Sequence, residues 1–248
     1  MKILIINPNG DAETDERLRK KAAAFVRGAY QVDVTHVAAT PKLMATQEDA
    51  AKGLPEMMEL VRQGEEYDAF VVACHSDPNL EVLQAITDTP VVGIAEASMK
   101  IASMNCHSFA VISPSARSIS PKRALARKYL CQDLYRGAEV CPENDSENLC
   151  RAAERAVEHS HVDGIVLGCA NYANADAYIE RKLGVKVFDV VEHQVRVGQN
   201  FPVVPQPHAG GVQAGVDSLC LETPETFQQK FRLGQGLAPG KRNAPRRA

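Results

Sequence analysis

Two cysteines occupy the same place in two similar segments. Asp68-Ala69-Phe70-Val71-Val72-Ala73-Cys74 returns as Asp163-Gly164-Ile165-Val166-Leu167-Gly168-Cys169. A thiolate accepts a proton from carbon and a thiol returns one, so two thiols facing one cleft suit proton exchange between opposite faces of a carbon. A lone cysteine closing a hydrophobic strand is ordinarily a small core residue. The matched placement of Cys74 and Cys169 is what makes them catalytic candidates. Cys106, Cys131, Cys141, Cys150 and Cys220 have no repeat partner and read as fillers or surface thiols. Seven scattered cysteines suit neither a disulfide framework nor paired C-x-x-C zinc ligands.

A thiol with a pKa near ~8.5 is only a few per cent thiolate at neutral pH, so the site must poise it. Asp77-Pro78 predicts a helix N-cap with proline at the first helical position, bringing a positive dipole end toward Cys74. Asn171 or Asn174 is expected to cap the helix after Cys169. His75 adjoins the first thiol, but adjacent side chains at a strand end commonly point apart, which weakens its case. No lysine stands where a Schiff base would need it, and no G-x-G-x-x-G loop is present. The enolate left by proton removal is therefore expected to be held by backbone N–H groups around Asn7 to Gly10 and Ser113 to Ser118, with Ser120-Pro121 as a further helix start. Asn7, Asn9, Ser113 and Ser115 are candidate ligand contacts, although such residues often serve only their own turns. Glu96 reads equally as a buried partner or a helix N-terminal charge. His159 and His161, two apart, lack helical metal-pair spacing and read as surface residues.

The elements that carry these residues are legible as a pattern. Short apolar runs at Ile3–Ile6, Phe70–Ala73, Val91–Ile94, Phe109–Ile112, Ile165–Leu167 and Val185–Val191 suit parallel strands buried on both faces. Amphipathic stretches at Asp15–Val26, Leu54–Arg62, Leu80–Ile86, Pro121–Leu130, Asn148–Glu158 and Ala175–Leu183 predict helices between them. The alternation indicates an α/β protein. Ile5-Ile6-Asn7-Pro8-Asn9 returns as Val111-Ile112-Ser113-Pro114-Ser115, and Pro90-Val91-Val92-Gly93-Ile94 has an echo in Lys186-Val187-Phe188-Asp189-Val190. With the cysteine segments this makes an internal duplication. It predicts two pseudo-symmetric lobes, residues 1–102 and 103–198, each a parallel sheet flanked by helices. Both cysteines and both polar-Pro-polar turns fall at the carboxyl ends of strands, where open α/β sheets bind their ligands, so the active site is expected in the cleft between the lobes.

Composition narrows the partners. Lys and Arg number 28 against 31 Asp and Glu, which gives no nucleic-acid footprint and favours a small-molecule substrate. No apolar run approaches the ~18 residues of a membrane span, and the N-terminus lacks a secretory pattern, so a soluble cytoplasmic protein is expected. Residues 199–248 are rich in proline and glycine and end in Lys241, Arg242, Arg246 and Arg247; they read as an extended arm and a partly disordered basic tail.

At Ile6-Asn7-Pro8-Asn9, Ala73-Cys74 with Asp77, Val92-Gly93-Ile94-Ala95-Glu96-Ala97 and Val166-Leu167-Gly168-Cys169-Ala170, the sequence resembles the aspartate/glutamate racemase superfamily and, within it, the hydantoin (allantoin) racemase group. The similarity runs from Met1 to about Val197. The resemblance implies a cofactor-independent racemase, without metal, using Cys74 and Cys169 as two bases on a 5-substituted hydantoin or allantoin-like ureide, and a homo-oligomer. Substrate contacts are expected at Asn9, His75, Ser76, Ser113, Ser115, Ala170 and Asn171. The chain departs from that group where His75 and Ser76 intervene between Cys74 and Asp77, and where Asn171-Tyr172 follow the second cysteine; both changes make the rim more polar. Alternatives are an aspartate or glutamate racemase, a maleate-type cis-trans isomerase of the same superfamily, and a two-lobed binder without catalysis. Removing residues 241–248 is expected to leave fold and activity unchanged, whereas deletion from Gln199 lowers stability or oligomer size; melting and size-exclusion measurements on the two truncations check this.

Overall fold

The computed structural model describes residues 1–26, 30–44, 46–172 and 174–190; the expected arm and tail at 199–248, and Cys220 within it, lie outside the described residues. Two four-stranded sheets follow one another along the chain. The first holds β1 (Lys2–Asn7), β2 (Gln31–His36), β3 (Ala69–Val72) and β4 (Val91–Gly93); the second holds β5 (Phe109–Ser113), β6 (Tyr135–Val140), β7 (Gly164–Leu167) and β8 (Lys186–Asp189). Their orders, β2-β1-β3-β4 and β6-β5-β7-β8, are the same order shifted by four, and every pairing is parallel. The duplication read from three short segments is therefore a duplication of whole sheets, in two lobes that belong to one compact unit. The helices are α1 (Ala12–Val26), α2 (Gln47–Gln63), α3 (Leu80–Ala85), α4 (Ile94–Asn105), α5 (Ile119–Lys128), α6 (Ser146–Ser160) and α7 (Asp176–Leu183), with a 3₁₀ turn at Ala116–Ser118.

Side chains alternate across each sheet as strand geometry requires. Ile3, Ile5 and Val71 on the first sheet and Phe109, Val111, Val166 and Phe188 on the second turn into one shared core with α1, α4 and α5. Leu4, Ile6, Phe70 and Val72 turn the other way onto α2 and α3. Ala110, Ile112, Ile165, Leu167 and Val187 turn onto α6 and α7. The result is a layered molecule in which α4, with Ile94, Ala95, Met99 and Ala102 buried, packs in the core common to both sheets. Among the described residues no helix is long and apolar enough to cross a membrane.

Three elements escape the sequence pattern and a fourth starts earlier than expected, each for a physical reason. β2 and β6 stand at sheet edges with Gln31, Asp33, Arg136 and Glu139 interleaved, because an edge strand buries less of itself. α4 begins directly after β4 with Gly93 at its N-cap, so no capping side chain announces it in sequence. α2 starts at Gln47, earlier than the expected Leu54, because Thr46 and Asp49 form a capping box; Pro55 lies inside the helix rather than at its start.

One buried ion pair ties the lobes together. Lys21 on α1 donates to Asp189 at the end of β8 over 2.9 Å, with both side chains almost wholly removed from water. Removing one partner of such a pair strands a buried charge, so Lys21→Met is expected to destabilise the protein by about 3–5 kcal/mol in chemical denaturation. The double variant Lys21→Met/Asp189→Leu is expected to recover part of that loss.

Candidate active site

The two cysteine turns share one backbone plan. Ala73 N–H donates to Ile6 C=O and Gly168 N–H to Ile112 C=O, each over 2.8 Å, which carries both chains past the ends of β3 and β7. Beyond the thiols, Asp77 N–H closes on Cys74 C=O at 2.9 Å and Tyr172 N–H on Cys169 C=O at 3.2 Å. Both thiols are half-buried. Each meets a group two residues on: Cys74 Sγ lies 3.2 Å from Ser76 Oγ, and the Asn171 N–H donates to the Cys169 sulfur. Burial pushes the Cys169 thiol up; Asn171 N–H, Lys122 and Lys21 oppose that shift, and the charge of Cys74 adds to it. The two sulfurs therefore sit within each other's electrostatic reach.

Asp77 does not cap the helix that follows it. Its φ is +45°, α3 starts from Asn79 in the left-handed region, and Asn79 makes no side-chain cap. The Asp77 carboxylate turns instead to α4, accepting from Ala95 N–H at 2.9 Å and Glu96 N–H at 2.7 Å, and from Tyr129 O–H at 2.6 Å. A Cβ on Gly93 would come within 2.3 Å of the Asp77 carboxyl carbon, so glycine is required there by close approach. The Asp77 carboxylate thus serves the N-terminus of α4 rather than that of α3, the helix it is expected from sequence to cap. Glu96 occupies the first turn of α4 and pairs with Lys100 at 2.5 Å, which resolves its open reading. The other expected caps are also absent: α7 starts from Ala175 without a side-chain cap, and Ser120 and Pro121 lie inside the first turn of α5.

His75 is buried at 3% exposure and does not present its ring at the rim. Its Nδ1 receives the Lys122 ammonium at 2.7 Å, so this nitrogen is the acceptor and Nε2 carries the proton, pointing to Ser98 Oγ at 3.2 Å. Ser98 passes the chain on to Ile94 C=O at 2.7 Å. Burial, reinforced by the neighbouring ammonium, holds His75 well below its usual pKa and keeps it neutral. Lys122 also donates to the carbonyls of His75 and, at 3.4 Å, Gly168. Burial pulls its pKa down to about 8 against the opposing charges of Cys74, Cys169 and Asp77. Nothing local singles out Lys122, because Ser-Pro-Lys-Arg on an amphipathic helix looks like a solvated face.

The remaining expected contacts divide. Asn7 is fully buried, donating to Asp15 at 2.9 Å and to Asp11 C=O at 3.1 Å, while its Oδ1 accepts from Asn9 N–H. Asn9 bonds back to Asn7 and accepts from Met44 N–H at 2.9 Å, and Gly10 N–H goes to Pro41 C=O at 3.1 Å. The N–H donors of Asn9 and Gly10 are therefore spent on the protein itself, contrary to the oxyanion role expected of that turn. Ser113 is buried against Ser118 Oγ, and exposed Ser115 caps the 3₁₀ turn through Arg117 N–H at 3.2 Å. Ser76 is exposed, Ala170 is buried, and Asn171 Oδ1 is a buried acceptor with no partner, a feature that favours a ligand. An open cavity of about 240 Å³ lies elsewhere, lined by Gln84, Glu96, Lys100, Lys128 and Tyr129, and includes neither cysteine.

The Asp77 carboxyl offers a pH test. Burial raises its pKa from 3.8 to about 6, outweighing three donors that favour the charged form. A carboxyl that binds its proton more tightly when folded contributes stability that is complete below about pH 4 and is lost as pH rises through about 6. The unfolding free energy of the wild type relative to Asp77→Asn is therefore expected to fall by on the order of 3 kcal/mol across that window. Denaturant titrations at stepped pH check the slope.

The sequence profile of the Asp/Glu/Hydantoin racemase family matches residues 3–197. The hydantoin racemase of Pseudomonas sp. (strain NS671) is 32% identical over 81% of this chain and 86% of its own length. That of Paenarthrobacter aurescens is 29% identical over 81% and 91%. The solved allantoin racemase from Klebsiella pneumoniae superposes with a TM-score of 0.74 at 24% identity, covering 80% of this chain and 86% of that one. With a profile running through both cysteine turns and a 32% identical relative sharing most of its length, the chain belongs to the Asp/Glu/Hydantoin racemase family.

Proposed function

We propose that the protein is a cofactor-independent racemase in which Cys74 and Cys169 exchange a proton at a carbon next to a carbonyl, with a 5-substituted hydantoin or an allantoin-like ureide as substrate. The observation that carries this reading is the pair of thiols on matched turns, coupled so that charge on one opposes ionisation of the other. In turnover one sulfur acts as thiolate while the other carries the proton it returns. The thiolate takes the ring C–H proton, and the C–H electron pair moves into the carbonyl to give an enolate. The opposite thiol then protonates the same carbon from its other face. The two sulfurs have now exchanged roles, and the reverse passage serves the other enantiomer.

Substrate acidity supports the choice of ring. Deprotonating a hydantoin carbon gives an amide enolate, whereas a free amino acid must form a carboxylate dianion, so the ring chemistry demands less of two thiols. Asn171 Oδ1, a buried acceptor two residues past Cys169, suits a ring N–H. The names of the hydantoin racemase relatives agree with this class.

Incubating the enzyme in D₂O with a panel of single-enantiomer hydantoins, allantoin, aspartate, glutamate and maleate tests the reading, with optical rotation and deuterium incorporation followed together. Hydantoins or allantoin are expected to lose rotation and gain deuterium at the stereocentre. Isomerised maleate with no change in the hydantoins would move the assignment to a cis-trans isomerase. Cys74→Ser and Cys169→Ser are each expected to lose about 10³-fold or more in racemisation while remaining folded, whereas Cys106→Ser and Cys150→Ala keep it. Normal turnover by either serine variant would overturn the two-thiol exchange.

A further inference from the structure

Lys122 is 4% exposed, yet the hydrogen bonds of its ammonium go to neutral acceptors: His75 Nδ1, His75 C=O and Gly168 C=O. His75 directly follows Cys74 and Gly168 directly precedes Cys169. One ammonium on α5 therefore joins the two cysteine turns, one from each lobe. The approach over the second turn is close: a Cβ on Gly168 would lie 2.4 Å from Val111 Cγ1 and 2.7 Å from Ile112 C=O, with Lys122 Cε only 3.6 Å away. Taking an ammonium out of water costs more than neutral hydrogen bonds return, so a buried lysine needs an opposite charge nearby. The ionisable groups acting on it are Cys74 at the end of β3, Cys169 at the end of β7 and Asp77 in the first turn. His75 is neutral, and the Asp77 carboxylate is committed to α4 and Tyr129. Lys21 on α1 adds a second positive charge that acts on Cys169.

We propose that Lys122 is a positioning residue whose ammonium clamps the two cysteine turns together and stands as the shared counter-charge for whichever thiol is ionised. The counter-charge role in turnover rests on the two-thiol racemase reading. A charge that serves both sulfurs suits a reaction whose two directions exchange their roles, because neither half-reaction ends with an uncompensated thiolate. The lysine stays an ammonium and passes no proton to substrate; its hydrogens remain on the two carbonyls and the imidazole.

The test is the pH dependence of iodoacetamide alkylation at Cys74 and Cys169, mapped by peptide mass spectrometry on the full chain, for the wild type and for Lys122→Met, Lys122→Gln and Lys122→Arg. In Met and Gln the apparent pKa of the reacting thiol is expected to rise by about one unit or more, which is about tenfold less thiolate at neutral pH. Racemisation is expected to fall in kcat more than KM rises, and Arg is expected to restore part of both. The Gln variant keeps amide donors for the carbonyls and removes the charge, so it reads the counter-charge even where Met fails to fold. Folded Met and Gln variants with the wild-type alkylation profile would overturn the proposal. A wild type that racemises nothing, but whose thiol profile shifts in the variants, would remove the racemase reading and leave the counter-charge standing.

Discussion

The carboxylate of Asp77 at the first turn of α4 is the contact on which both core and site depend. α4 packs in the core common to the two sheets, and its own chain supplies only a glycine at the N-cap. Its first free N–H groups would be buried and unpaired without an acceptor from elsewhere, a situation that folded proteins rarely tolerate. Asp77 supplies that acceptor from three residues beyond Cys74. The backbone strain of a positive φ at Asp77, the bare Gly93 and the Tyr129 hydroxyl all follow from letting the carboxylate reach α4. The central helix and the first thiol are consequently held by the same group.

The duplication is faithful in backbone and unequal in chemistry. Both lobes repeat the strand order, the bond that carries each chain past its central strand, and the tight turn that closes on each cysteine carbonyl. At the third residue after the cysteine they diverge: Asp77 reaches across to α4, whereas Tyr172 stays in its own lobe and donates to Cys141 C=O at 2.7 Å. The polar turns diverge too, since the Asn7 side chain is engaged by Asp11, Asp15 and Asn9 while the Ser113 hydroxyl meets that of Ser118. A symmetric frame thus holds two thiols in different surroundings.

Electrostatics inside the site are set by burial more than by any dipole. Burial keeps His75 neutral, raises the Cys169 thiol and lowers Lys122, and each shift is then trimmed by specific neighbours. The neutral imidazole matters structurally because it allows Nδ1 to accept from Lys122, and its other nitrogen to continue through Ser98 into α4. The chain from Ile94 to Lys122 links the start of the central helix to both cysteine turns.

Much of the frame is written in local pattern. The central strands are continuous apolar runs because both faces are covered, and the repeat alone places Cys74 and Cys169 at equivalent strand ends. The edge strands β2 and β6 escape notice because Gln31, Asp33, Arg136 and Glu139 break the run where one side meets water. What sequence does not contain is the direction of a side chain at a turn. Asp77-Pro78 looks like a local cap, yet the carboxylate binds 18 and 19 residues away; His75 looks like a rim residue, yet it lies inward on Ser98 and Lys122. Lys122 belongs to the site only because α5 of one lobe packs beside the β3 turn of the other, over a separation of 47 residues. The residue types and their spacing determined that two thiols would be paired on an α/β frame. Tertiary packing decided which charges face them, because burial and approach between distant segments depend on the whole fold rather than on any stretch of chain.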